Sequence, residues 1–100
     1  MPEIQFTNAA RRDLKGIFIY STRKWGKHQA KLYADQLLVH VEKIANDAVF
    51  SKNISNNLRD LRQSSVGRHL IVFEQTDDQI LIARILHEAM DIARHIGLSN

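Results

Sequence analysis

The sequence contains no cysteine, only one proline and only four glycines among its 100 residues. The missing thiols exclude disulfide bonds, thiolate nucleophiles and cysteine-ligated zinc, and they fit a reducing compartment. The glycines are too scattered for a dinucleotide-binding or phosphate-binding loop, and no Gly-x-Ser-x-Gly nucleophile turn occurs. No apolar run approaches the roughly 18 residues of a membrane span, and the polar start is unlike a signal peptide. We therefore expect a cytoplasmic protein without membrane contact, metal or cofactor.

The composition is that of an ordinary globular chain, with 44% hydrophobic and 25% charged residues. One hundred residues are enough for one core, and we expect a single domain over residues 1–100.

Charge is distributed unevenly along the chain, although the net charge is only +3. Residues 11–31 carry seven basic side chains against one acidic side chain, and residues 74–91 carry five acidic side chains against one basic. Such a gradient is typical of a protein with an acidic or polyanionic partner, and a solvated helix face is the simpler alternative.

The spacing of apolar residues predicts an α+β fold. Residues 3–6 alternate as in a strand, and Thr7 or Asn8 can cap a first helix that Gly26 ends. The i, i+3, i+4 pattern from Ala30 to Ala45 predicts a second helix. Strands are expected over 58–63, 68–75 and 80–86, the last two joined by a turn at 76–79, and a short helix over 89–96. The prediction is an antiparallel helical hairpin packed on a mostly antiparallel four-stranded sheet, followed by a short C-terminal helix.

Arg84 interrupts an otherwise apolar strand, where strand alternation places it on the face of Ile82 and Leu86. A guanidinium in such a place needs a partner or an open surface. One interpretation is an ion pair with Glu74 or Asp91. The other is a basic sheet surface for a phosphate backbone or an acidic peptide, shared with three further arginines, namely Arg59, Arg62 and Arg68.

Three other features have competing interpretations. The sequence His87-Glu88-x-x-Asp91 approaches a zinc-protease motif, but the chain leaves no room for a substrate domain. Trp25, beside Gly26, is most simply a core residue at the helical turn. For His69 a capping role and a site role remain open.

The chain resembles the ParE toxins of the RelE/ParE superfamily, the toxic halves of type II toxin–antitoxin pairs. The resemblance covers nearly the whole chain. Its pieces are, in order, Thr7…Ala10…Asp13-Leu14 with Ile17 and Tyr20, Trp25-Gly26…Gln29-Ala30…Tyr33, Gly67-Arg68-His69-Leu70-Ile71, and Arg84-Ile85-Leu86-His87…Met90-Asp91. The chain departs from the family pattern at Val72-Phe73-Glu74, where the family often has an aromatic pair followed by arginine.

The resemblance implies a toxin that binds and poisons DNA gyrase and is neutralised by a ParD-type antitoxin, with operator DNA reached only through that antitoxin. RelE-like relatives instead cut messenger RNA on the ribosome, often with a late tyrosine, and no tyrosine follows Tyr33 here. Two alternatives therefore stay open, a ribosome-dependent endoribonuclease and a non-toxic co-repressor that binds the antitoxin.

A binding poison needs surfaces rather than catalytic groups, and we expect no catalytic residue. The expected toxic surface consists of Arg62, Arg68, Arg84, His87, Met90 and Asp91. The expected antitoxin-binding surface consists of Arg11, Arg12, Lys15, Trp25 and Lys31.

Overall fold

The computed structural model describes residues 2–55 and 60–89. Its elements are β1 (Glu3–Phe6), α1 (Asn8–Trp25), α2 (Lys27–Ala45), β2 (Lys52–Asn53), β3 (Arg62–Val66), β4 (His69–Gln75) and β5 (Gln79–His87). The strands form one sheet in the order β1-β5-β4-β3-β2. Only β1 is parallel to its neighbour, so the sheet is mixed and mostly antiparallel. The α+β class and the helical hairpin are confirmed.

The sheet differs from the prediction in its strand count and in one strand's position. It has five strands rather than four, because a two-residue strand, β2, forms between α2 and β3, where no strand was predicted. The strand expected over 58–63 begins only at Arg62 and continues through polar residues to Val66. Those polar residues are extended because they pair with β4, from Arg62↔Phe73 to Val66↔His69. The expected C-terminal helix lies, apart from its first residue, outside the described residues.

The ends of the helices follow local chemistry. Thr7 Oγ1 accepts a hydrogen bond from the Ala10 amide at 3.0 Å, which caps α1. The same hydroxyl donates to the Ala83 carbonyl at 2.7 Å, so the cap also attaches α1 to β5. Gly26 separates the two helices with a φ of 91°, a conformation that glycine adopts without steric cost. The predicted start of α1 at Thr7 and its predicted end at Gly26 are both confirmed.

The main core lies between the helical hairpin and the sheet. Its fully buried side chains include Leu37 from α2, Ile71 and Phe73 from β4, and Ile80 and Ile82 from β5. A second, smaller cluster consists of four buried residues, Leu61, Val72, Ala83 and Leu86, with Ile54 packed against them. Neither α1 nor α2, the helices of the described residues, is apolar enough over a span of 18 residues to cross a membrane.

A β-bulge at Ala83 changes the alternation of β5. Val72 pairs with Arg84 and Phe73 pairs with Ile82, so Ala83 is the extra residue. Ile82 packs in the main core, whereas Leu86 packs in the second cluster. The prediction that Arg84 shares one face with both Ile82 and Leu86 is therefore wrong, because the extra residue shifts the pattern between them.

Candidate functional site

A cluster of aromatic and imidazole side chains lies where β4 begins and β5 ends. His69 and His87 are register partners on these strands, and their rings meet edge to face with centroids 5.4 Å apart. Tyr33 reaches them from α2, with its Oη 2.6 Å from His69 Nδ1. We call Tyr33, His69 and His87 the histidine cluster. It joins the helical hairpin to the sheet through polar contacts.

Gly67 makes room for this cluster. It occupies the two-residue turn between β3 and β4 with a φ of 55°, in the left-handed region. A Cβ atom at Gly67 would lie 2.6 Å from Tyr33 Oη, far inside van der Waals contact. The next amide, of Arg68, donates to that same oxygen at 3.2 Å. The turn therefore holds the tyrosine hydroxyl that contacts His69.

Burial is the largest cause of the shifted pKa values of His69 and Tyr33. Burial lowers the pKa of His69, the nearby His87 lowers it further, and Glu88 acts in the opposite direction. Burial also raises the pKa of Tyr33. A neutral His69 whose proton is on Nε2 accepts a hydrogen bond from the Tyr33 hydroxyl at Nδ1. These are the proton donor and acceptor types that acid–base chemistry uses.

Arg68 and Glu88 lie at the outer side of the histidine cluster. Their side chains form an exposed ion pair at 3.6 Å, and the Glu88 amide donates to the Arg68 carbonyl at 2.8 Å. An ion pair this exposed contributes about 0–1 kcal/mol. Arg68 and His87, two residues of the expected toxic surface, therefore lie near each other at this end of the sheet.

Arg84 is directed elsewhere, toward α1. Its Nε and Nη2 donate to the two carboxylate oxygens of Asp13 at 2.7 and 3.0 Å. Asp13 also accepts the Ile85 amide at 2.9 Å, on the part of β5 that extends beyond β1. The sequence analysis named Glu74 and Asp91 as possible partners and missed Asp13, because 71 residues separate it from Arg84. We call this Asp13–Arg84 pair the clasp.

The remaining residues of the expected toxic surface do not join the histidine cluster in the part of the chain that the structure describes. Arg62 points to the β2 side, where its Nε donates to Ser51 Oγ at 2.8 Å and its Nη2 to the Ser51 carbonyl at 2.9 Å. Met90 and Asp91 lie outside the described residues, as does Arg59 of the basic sheet surface. Among residues 2–55 and 60–89, no three histidine or acidic side chains come together as a metal site would require.

A second polar contact was not expected from the sequence. His40 Nε2, on α2, lies 2.8 Å from Ser64 Oγ, which donates to the Phe50 carbonyl at 2.8 Å. Burial and the nearby Lys43 lower the pKa of His40. The contact attaches the segment after α2 to β3 and explains why the polar residue Ser64 is buried.

Four of the five residues of the expected antitoxin-binding surface are basic and exposed, namely Arg11, Arg12, Lys15 and Lys31. The fifth, Trp25, is 57% exposed. The interpretation of Trp25 as a core residue is therefore wrong. Trp25 is the last residue of α1 and packs edge to face on Tyr20 instead, with ring centroids 6.1 Å apart.

This arrangement of a helical hairpin on a mixed sheet is shared with solved structures from toxin–antitoxin systems. A chain of the chromosomal ParDE TA system from P. aeruginosa has a TM-score of 0.71 at 20% identity, covering 87% of this chain and 96% of that one. YafQ from E. coli has a TM-score of 0.60 at 12% identity, covering 89% and 96%. At these identities the likeness concerns the fold alone.

Sequence comparison then identifies the family. Residues 4–92 match the family described as the ParE toxin of the type II toxin–antitoxin system parDE. Toxin ParE1 of Caulobacter vibrioides is 31% identical over 97 residues, covering 97% of this chain and 100% of that protein. Toxin ParE of Escherichia coli is 30% identical over 92 residues, covering 91% and 89%. The chain belongs to the ParE family of type II toxin–antitoxin toxins.

Proposed function

We propose that this chain is a cytoplasmic toxin that stops DNA replication by binding DNA gyrase, and that a ParD-type antitoxin neutralises it. The observation that carries the proposal is the match to the ParE family over residues 4–92. The two ParE toxins, aligned over nearly their whole lengths, support it. The mechanism requires a binding surface and no cofactor or catalytic residue.

The contacts of the expected toxic surface support a narrower set of gyrase-binding residues. Arg84 is held in the clasp, and its guanidinium is bonded to Asp13 on two sides. Arg68 and His87 lie at the end of the sheet, next to the described end of the chain. We therefore assign gyrase contact to Arg68 and His87, with Met90 and Asp91 following them in the chain, and a stabilising role to Arg84.

The helical hairpin is the proposed antitoxin-binding surface. Large apolar side chains of the hairpin remain exposed beside its basic residues, namely Ile19, Tyr20, Trp25, Leu32, Leu38 and Val39. Exposed apolar area of this kind is typical of a protein interface. The solved relatives of the same fold include a ParDE system and the DinJ–YafQ complex. Operator DNA would then be reached only through the antitoxin.

The first test is pulse-labelling of DNA and protein synthesis after brief induction of the chain without antitoxin. We expect DNA synthesis to fall first, and supercoiling by purified gyrase to be inhibited by the purified chain. Protein synthesis failing first would contradict the proposal. A soluble, folded chain that causes no growth arrest would favour the non-toxic co-repressor instead.

Messenger RNA cleavage is a second candidate, which the histidine cluster favours. Tyr33, His69 and His87 place proton-transfer groups together beside Arg68, a cation able to bind phosphate. Tyr33→Phe and His69→Gln remove these proton-transfer groups with little change of volume, and neither residue is assigned to gyrase contact. Under the gyrase proposal both variants, if folded, keep blocking DNA synthesis before protein synthesis. Loss of toxicity in both, together with cleaved messenger RNA from the unmodified chain only, would favour the ribonuclease.

A further inference from the structure

The tip of the helical hairpin combines exposed aromatic rings with positive charge. Tyr20 and Trp25 are each 57% exposed and pack edge to face. The ammonium group of Lys24 lies 5.7 Å from the Tyr20 ring centroid and 5.3 Å from that of Trp25. Its Nζ also contacts Tyr20 Oη at 3.2 Å. We call Tyr20, Lys24 and Trp25 the aromatic tip.

The charge around the aromatic tip has one sign. No acidic residue occurs between Asp13 and Asp35, whereas five lysines and arginines do. Four of them lie close to the tip along the chain and are exposed, namely Arg23, Lys24, Lys27 and Lys31. A ligand that fits this surface must therefore carry several negative charges.

The aromatic rings narrow the ligand class further. A purely acidic ligand such as polyglutamate would pair with the cations and leave the rings unused. Single-stranded nucleic acid uses both features, because its phosphates pair with lysine and arginine while its unpaired bases stack on aromatic rings. Stacking needs open ring surface, which both Tyr20 and Trp25 retain. Duplex DNA keeps its bases stacked inside and would leave the rings unused.

We propose that the aromatic tip binds single-stranded nucleic acid, with a base stacked on Trp25 or Tyr20 and the backbone held by the surrounding lysines and arginines. The proposal does not depend on gyrase inhibition. It concerns the purified chain alone, whereas the gyrase proposal is tested through supercoiling, so the two can fail separately.

The sequence provides its own probe, because Trp25 is the only tryptophan. The full chain is titrated with (dT)12, (rU)12, a 12-base-pair duplex and polyglutamate of matched charge, while tryptophan emission is recorded. We expect quenching by at least one single strand and weaker binding of the duplex and of polyglutamate. The logarithm of the binding constant should fall with that of salt concentration by about 0.7 per phosphate contact. Preference between the two single strands distinguishes a DNA-type ligand from an RNA-type ligand.

Variants of exposed residues separate stacking from charge. Trp25→Ala and Tyr20→Ala, followed by anisotropy of a labelled oligonucleotide, should weaken binding about 5- to 150-fold for each ring that stacks. Phe50→Ala is the matched control, since Phe50 is an 85% exposed aromatic residue beyond the other end of α2. It should bind like the unmodified chain. Circular dichroism confirms that each variant is folded.

Three results would overturn the proposal. They are the absence of binding to either single strand, equal binding of polyglutamate that persists in Trp25→Ala and Tyr20→Ala, and tighter binding of the duplex. The second result would instead identify an acidic protein as the partner of the tip.

Discussion

Single residues in this protein matter most where two elements approach closely, and Gly67 is the clearest case. Its backbone is left-handed, and its α-carbon faces the hydroxyl of Tyr33. Glycine is required at this position for two reasons. It adopts the positive φ without strain, and it has no Cβ atom that would clash with Tyr33. A local sequence pattern gives the first reason but not the second, because Tyr33 is 34 residues away.

We predict that Gly67→Ala lowers the free energy of unfolding by about 2–4 kcal/mol, from backbone strain together with displacement of Tyr33. Gly16→Ala is the control, because a Cβ at Gly16 meets no atom within 4 Å and alanine favours a helix interior. That control should raise the free energy of unfolding by about 0.5–1 kcal/mol. Urea unfolding measures both, and equal effects of the two substitutions would contradict the role given to Tyr33.

The lowered pKa values of two histidines determine how the stability of the fold depends on pH. The pKa values of His40 and His69 are lowered in the folded state, so the unfolded chain binds more protons below about pH 6.5. Stability is therefore fully present above that pH and falls as the pH drops toward the folded-state pKa values. Unfolding in urea between pH 5 and 8 should show this slope. We expect a smaller slope in His69→Gln than in the unmodified chain.

At the scale of secondary structure, the clasp connects the first helix to the last described strand. Its two side chains are largely buried, with 25% of Arg84 and 16% of Asp13 exposed. The Asp13 carboxylate also accepts the Ile85 amide, on a stretch of β5 that β1 does not reach. The clasp therefore completes a strand edge as well as pairing two charges.

We predict that Asp13→Ala and Arg84→Ala each lower the free energy of unfolding by about 1–3 kcal/mol, because each removes the charge-assisted hydrogen bonds between Asp13 and Arg84. The double variant should cost less than the sum of the single variants, with a coupling of about 1 kcal/mol. Chemical denaturation of the unmodified chain, the two single variants and the double variant gives this double-mutant cycle. Additive effects would contradict direct coupling, and a folded Arg84→Ala chain without toxicity would return Arg84 to the toxic surface.

Elements that depend on neighbouring residues could be predicted from the sequence, whereas elements that depend on residues far apart in the chain could not. The helices, the cap at Thr7, the glycine at 26 and the turn at 76–79 follow from neighbouring residues, and all are found. The pairing of β1 with β5, the bulge at Ala83 and the strand at Arg62–Val66 depend on residues far apart in the chain. For the same reason the clasp and the contact of Tyr33 with His69 could not be derived from spacing. The basic residues of α1 could be identified from the sequence, because the charge of a side chain does not depend on which residue it contacts.

At the scale of the whole molecule, the charge gradient divides its surface. The basic helices form one part, and acidic residues gather at the turn between β4 and β5 and near the described end of the chain. Opposite charge on a partner accelerates association and makes it sensitive to salt.

We predict that Arg11→Glu, Arg12→Glu and Lys15→Glu together weaken binding of the cognate antitoxin at least tenfold, mainly through slower association. Surface plasmon resonance at several salt concentrations measures both rates. The matched control reverses three exposed charges away from the hairpin, at Asp77, Asp78 and Lys52, and should leave the affinity within about twofold. An unchanged affinity for the first variant would contradict the proposed surface.

The pairing of β1 with β5 also affects the order in which the protein can form during synthesis. Glu3 pairs with Gln79, so the first strand cannot pair until residue 79 has been synthesised. At 5–20 residues per second, the delay is roughly 4–15 s. The contacts between the two helices are local in sequence, so the hairpin can form early, but its apolar face stays uncovered for these seconds. A newly made chain is therefore expected to complete its toxin fold only after β5 has been translated.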